Sequence, residues 1–207
     1  MADNTYNYGF RWHSNLSGGD QPKPIRYRLA SAYSAAPGGV QVGIRPGDVV
    51  KPATDGTVEL AVAGDATIAG VVSHVGPFYN SALAEMDISD HIPYGQGAYS
   101  TNLDRETYVY VIPAFGTVFQ AMCDDATTAT TQAAYTAFIG ENADLINAAV
   151  TGYAHPLLDI STHATTAAQF RIMDFLKRPG VDFTGNYVPF LVTVNESYLP
   201  TFTTTGV

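Results

Sequence analysis

The chain has 207 residues, 46% of them hydrophobic, which is enough for one substantial buried core and excludes a wholly disordered protein. Its formal net charge of −9 and isoelectric point near 4.7 argue against a nucleic-acid partner, because counterion release needs clustered Lys and Arg facing phosphates. The single cysteine, Cys123, excludes an internal disulfide framework and reads as a small buried hydrophobe.

The charge is unevenly spread. Residues 1–45 carry five basic side chains (Arg11, Lys23, Arg26, Arg28 and Arg45) against two acidic ones, whereas the remainder carries five against seventeen. The first residues show no basic stretch followed by an apolar one, so no signal peptide is expected. The apolar stretches 61–72 and 146–154 are broken by Asp65 and Gly152, and both are far shorter than the roughly 20 residues of a spanning helix. No membrane partner is expected.

Residues 1–39 read as an extended N-terminal arm. Gly18, Gly19, Pro22, Pro24, Pro37, Gly38 and Gly39 forbid a long helix. Its aromatic residues, among them Tyr6, Tyr8, Phe10, Trp12, Tyr27 and Tyr33, are anchors that a solvated tail would lack. The stretch 21–28 alternates basic, aromatic and apolar residues. It suits either a strand added to a neighbour's sheet or a strap over the chain's own body, and the sequence leaves both open.

From residue 40 onward, short β-branched runs alternate with Gly, Pro and Asp, the pattern of a β-rich domain over 40–207. Strands are expected at 40–44, 48–50, 57–63, 66–75, 107–112, 115–122, 145–153, 168–175 and 187–194. Alternation places Val58, Leu60 and Val62 on one face and Thr57, Glu59 and Ala61 on the other; Val109 and Val111 oppose Tyr108 and Tyr110 in the same way. Asp55-Gly56, Gly64-Asp65 and Pro46-Gly47 supply turn chemistry. A short helix is expected near 81–86, and 124–136 reads as a loop or one helical turn followed by a strand. The expected fold class is mainly β: a single sandwich-like or barrel-like domain, of β-tulip or jelly-roll type, with the arm and long loops.

The five histidines, His13, His74, His91, His155 and His163, have no zinc-ligand spacing, and no nucleophile elbow, Walker loop or dinucleotide fingerprint is present. A triad from His155, Asp159 and Ser161 is disfavoured, since such spacing arises by chance in loops rich in Ser and Asp. Asp124-Asp125 and the Glu85, Asp87 and Asp90 cluster lack calcium-loop spacing and read as solvated acidic surface. No catalytic residue, metal or cofactor is expected.

In order along the chain stand Tyr8-Gly9-Phe10-Arg11, a Pro-Gly-Asp-Val-Val-Lys step at 46–51, and an Ile-x-Gly-Val-Val run at 68–72. Val-Tyr-Val follows at 109–111, then an aromatic-rich stretch at 113–119. Leu158-Asp159-x-Ser161-Thr162 leads to Ala168-Gln169-Phe170-Arg171-Ile172, and Gly185-Asn186 leads to Leu191-Val192-x-Val194-Asn195-Glu196. This succession resembles the head decoration, or capsid cement, proteins of tailed bacteriophages, although 77–106 and 124–136 are longer here. The resemblance implies a non-enzymatic virion protein, made in the host cytoplasm and seated on the outer capsid surface. Its implied partners are the major capsid protein and further copies of itself, as a homotrimer or a dimer. Expected contact residues are Phe10, Arg11, Trp12, Lys23, Arg26, Tyr27, Arg28 and Tyr33. The alternative reading is a tail-associated, receptor-binding or carbohydrate-binding β protein using Phe78, Tyr79, Tyr94 and Tyr99.

Overall fold

The computed structural model describes residues 9–30, 43–53, 56–80, 83–93, 107–124, 131–147, 155–164, 168–176, 181, 183 and 187–195. The protein is mainly β, as its turn-punctuated β-branched runs require, and is built from two packed antiparallel sheets. The first contains β2 (Ile25–Arg28), β3 (Val49–Pro52), β4 (Val58–Leu60), β5 (Gly70–Val75) and β8 (Tyr108–Pro113), in the order β2-β8-β5-β3-β4. The second contains β1 (Arg11–Asn15), β9 (Thr117–Met122), β10 (Asn142–Asn147), β11 (Pro156–Ala164), β12 (Phe170–Phe175) and β13 (Pro189–Val194), in the order β1-β9-β13-β12-β10-β11. A small hairpin, β6 (Phe78–Asn80) with β7 (Glu85–Asp87), stands apart from both.

Each sheet curls until strands far apart in its order meet at one parallel bridge: the two end strands in the first sheet, and in the second the end strand β11 with β9, one strand in from the β1 edge. Leu29, directly after β2, bridges Val58 of β4, and the Ala30 N–H donates to the Val58 carbonyl at 2.9 Å. Cys123, directly after β9, bridges Leu158 of β11 in the same fashion. Asp124 reinforces that second seam: its N–H donates to the Leu158 carbonyl at 3.1 Å, and its Oδ1 accepts from the Ile160 N–H at 3.2 Å. The acidic residue considered as a cation ligand is thus part of a backbone closure.

Across β3, β4, the start of β5 and the end of β8, the five-stranded sheet is buried on both faces. Val49, Val71 and Ile112 join the larger core together with Phe119, Phe170, Phe190 and Val192 of the second sheet. Val50, Val72, Val109 and Val111 line a smaller core on the opposite face, closed by Phe78 and by Ile44 and Ile92, whose backbones exchange two hydrogen bonds. This double burial corrects the expected alternation in β4. Thr57 and Ala61, placed on a solvent face by the pattern, are each 3% exposed, because both faces of that sheet are covered.

Residues 9–30, the described part of the expected arm, lie along the chain's own sheets. β1 is the outer neighbour of β9, and β2 is the outer neighbour of β8. Gly9 adopts φ +70°, and a Cβ there would sit 2.5 Å from the Gly47 carbonyl oxygen, so the chain can turn inward only with glycine at this point. That turn delivers Phe10 into the larger core, 1% exposed, with its ring centroid 4.9 Å from that of Phe170.

Three further expectations change. The helix foreseen near 81–86 gives way to the β6–β7 hairpin, whose turn carries Ala84 at φ +56°. The strand foreseen at 145–153 begins at Asn142, and its part beyond residue 147 lies outside the described residues. β11, nine residues long, was not foreseen, since Asp159, Ser161 and Thr162 interrupt its apolar pattern. In the stretch 124–136 the helical turn does form, as α1 (Gln132–Thr136), capped by Thr131 Oγ1 accepting from the Ala134 N–H at 3.2 Å. No helix among the described residues is long and apolar enough to cross a membrane.

One buried polar side chain ties the sheets together. Gln169, 1% exposed, accepts from the Leu145 N–H through Oε1 at 3.0 Å and donates from Nε2 to the Val62 carbonyl at 2.7 Å. Replacing it with Leu strands the Leu145 N–H and leaves the Val62 carbonyl only its bond from the Asp65 N–H, so Gln169→Leu should lower the unfolding free energy by about 1–3 kcal/mol in urea titrations. Phe10→Ala should cost about 3–5 kcal/mol in the same measurement, the penalty of a core cavity rather than of a surface anchor.

Candidate partner-binding face

Period-two patterning in β8 turns Val109 and Val111 into the smaller core and leaves Tyr108 and Tyr110 on the other face. β2 pairs with this strand so that Arg26 lies opposite Tyr110 and Arg28 opposite Tyr108, which places both guanidinium groups on the tyrosine side. Arg26 Cζ sits 4.4 Å from the centroid of the Tyr108 ring, a cation–π contact. In β5 a bulge between Val72 and His74 shifts the register and brings His74 opposite Tyr110. Their rings stack at 4.0 Å with an interplanar angle of 13°. The second sheet covers this face where Val71 and Ile112 enter the larger core, and beyond them Arg26, Arg28 and His74 are exposed and Tyr108 and Tyr110 half-buried. The result is a basic and aromatic ledge on a chain that is acidic overall.

Beside the ledge lies a cleft of 470 Å³, lined among others by Phe10, Arg11, Trp12, Gln21, Ser73 and His155. His155 Nδ1 meets Asp48 Oδ1 at 3.2 Å, while Asp48 Oδ2 accepts from the Arg45 N–H at 2.9 Å. Burial pushes the Asp48 carboxyl above its ordinary value, and the opposing pull of His155 and Arg45 does not cancel that push. This pair joins the segment ahead of β11 to the turn ahead of β3, so it braces the two sheets beside the cleft.

The expected contact residues divide accordingly. Arg26 and Arg28 meet on the ledge, and Arg11 and Trp12 line the cleft. Lys23 is exposed between β1 and β2, and Tyr27 packs half-buried against the smaller core. Phe10 is corrected to a core residue, because the turn at Gly9 buries its ring. Tyr33 lies outside the described residues. Tyr108, Tyr110 and His74 escaped the sequence reading, although the alternation of Tyr108 and Tyr110 with two valines had marked a second face.

The residues of the disfavoured triad are engaged separately. Asp159 Oδ1 accepts from Ser161 Oγ at 2.7 Å and from the Ser161 and Thr162 N–H groups, whereas His155 turns to Asp48. Of the aromatics considered for carbohydrate binding, Phe78 is 1% exposed and closes the smaller core. Tyr94, Tyr99 and the side chain of Tyr79 lie outside the described residues. Among the described residues, no three His, Cys, Asp or Glu side chains gather around a common metal position. Comparison with protein families, with curated proteins and with solved structures finds no match.

The buried carboxyl makes a testable contribution to stability. An acid whose pKa is raised by folding favours the folded state while protonated, and that contribution is lost as pH rises past the ordinary aspartate value of 3.8. Asp48→Asn mimics the protonated form. Its melting temperature relative to the native chain should therefore climb as pH is raised from about 4 to about 7 in a series of thermal scans.

Proposed function

We propose that this protein is a structural component of a tailed-phage virion that binds the outer capsid surface, as a homotrimer, and bridges neighbouring capsomers. The observation that carries this reading is the ledge of Arg26, Arg28, His74, Tyr108 and Tyr110, a basic and aromatic face on a chain of net charge −9. Arg and Tyr dominate the energetics of protein interfaces, and their concentration on one face of an acidic molecule orients it toward an acidic partner surface. The succession of motifs along the chain, from Gly9-Phe10-Arg11 to Asn195-Glu196, supports a capsid as that surface.

The physics of such a role makes modest demands on each contact. Packaged DNA presses capsomers apart, and a ligand that binds only the joined arrangement stabilises it by mass action. Three ledges on one trimer would raise avidity by about 10² to 10⁴ over a single ledge, provided all three engage together.

A second reading rests on the His155–Asp48 pair beside the cleft, which has the form of a base and its orienting carboxylate. It predicts turnover of activated esters that disappears in His155→Ala.

The decisive experiment mixes the purified protein with empty, expanded heads lacking it and counts bound copies. The native chain should bind stoichiometrically, and the Arg26→Glu, Arg28→Glu double variant should lose at least about tenfold in affinity. Unchanged occupancy by the double variant would remove the ledge from the capsid contact.

A further inference from the structure

The cleft beside the ledge has its polar side chains held in place from behind. Trp12 forms one wall, half-buried against the larger core, and its indole Nε1–H donates to Asn15 Oδ1 at 3.3 Å. Asn15 Nδ2 donates in turn to the Asp20 carbonyl at 2.6 Å. This ties the segment between β1 and β2 to the strand that carries Trp12, and the next residue, Gln21, stands exposed at the rim. On the β5 side, Ser73 Oγ donates to the Tyr110 carbonyl at 3.0 Å, so toward the cleft the hydroxyl oxygen is an acceptor. Phe10, Val71 and Ile112 belong to the larger core and close the floor.

Charge is muted here. Arg11 and His155 line the cleft, but each is engaged with a group of its own, and Asp48, which meets His155, is 4% exposed. What the walls offer is a flat indole, a neutral amide that both donates and accepts, and an accepting hydroxyl oxygen. A carboxylate or phosphate calls for donors alone, and an ammonium group for acceptors alone. A wholly apolar ligand would leave the polar groups desolvated and unpaired. A ring that is apolar on its faces and carries hydroxyls around its edge meets both demands. Each hydroxyl donates and accepts, while the C–H face covers the indole.

We propose that this cleft binds an uncharged saccharide, with a pyranose ring laid against Trp12 and its hydroxyls bonded to Gln21 and Ser73. Its volume of 470 Å³ lies within the range of about 300–1,000 Å³ typical of small-ligand sites and admits a mono- or disaccharide. The site uses none of the ledge side chains, so it goes beyond the capsid contact proposed above and does not depend on it.

Trp12 is the only tryptophan in the chain, so its fluorescence reports occupancy. The full-length protein is titrated with glucose, galactose, N-acetylglucosamine and their β-linked disaccharides cellobiose, lactose and chitobiose. Glucosamine and galacturonic acid serve as charged counterparts, and calorimetry repeats each titration without relying on the indole. At least one neutral sugar should bind saturably, with a Kd of about 1 mM or tighter that does not change with salt. The charged sugars should bind at least about tenfold more weakly than the neutral rings they derive from. Gln21→Ala, which alters an exposed side chain, and Trp12→Leu should each weaken the neutral sugar at least about fivefold. Circular dichroism and the melting temperature establish that each variant is folded.

No binding by any of the neutral sugars would overturn the site. Tighter binding of a charged sugar would replace it with an ionic one, and equal binding by the native chain and both variants would place the sugar elsewhere on the molecule; either result overturns the proposal.

Discussion

The curl of each sheet onto itself is the constraint from which the rest of the molecule follows. A flat five-stranded or six-stranded sheet could not enclose a core on its concave side. Here Leu29 and Cys123, each the first residue beyond a strand, bend far enough to reach Val58 and Leu158. One bridge per sheet suffices because apolar side chains fill the concavity behind it: Phe78, Ile44 and Ile92 in one, and the cluster around Phe119, Phe170 and Phe190 in the other. The convex face of the first sheet then supplies Val49, Val71 and Ile112 to the second core. The Gln169 side chain crosses between the two, with its amide bonded to the Leu145 N–H and the Val62 carbonyl.

Most of the strands were legible because their signals are local. β8, β9, β12 and β13 carry β-branched and aromatic residues at period two, between Gly, Pro or Asp breaks. Where a strand draws its stability from neighbours instead, the pattern fails. β11 holds Asp159, Ser161 and Thr162 in one run, and it is a strand because β10 pairs with it. The residues 11–15 and 25–28 show the opposite limit. Their composition pointed to edge-strand behaviour, yet nothing in it distinguishes the chain's own edge from another molecule's, since backbone pairing is identical in the two cases.

The candidate face was legible only in its charges. Arg26 and Arg28 stand out in a sequence with ten basic residues, but their meeting with Tyr108 and Tyr110 depends on the register of β2 against β8. The position of His74 depends on a bulge that no composition signals. Phe10 was misassigned for a related reason: aromatic residues serve cores and interfaces equally well, and the backbone turn at Gly9 decides between them.

The division of strands between the sheets also orders the making of the protein. Residues 25–113 contain all five strands of the first sheet, and residues 117–194 contain every strand of the second except β1. During synthesis the first sheet can close around its small core while the second is still on the ribosome. β1 is the exception, since its partner β9 emerges only after β8 is complete. The N-terminal strand is thus the first made and among the last placed, and its docking, which carries Phe10 into the larger core, marks the moment at which two successively folded halves become one body.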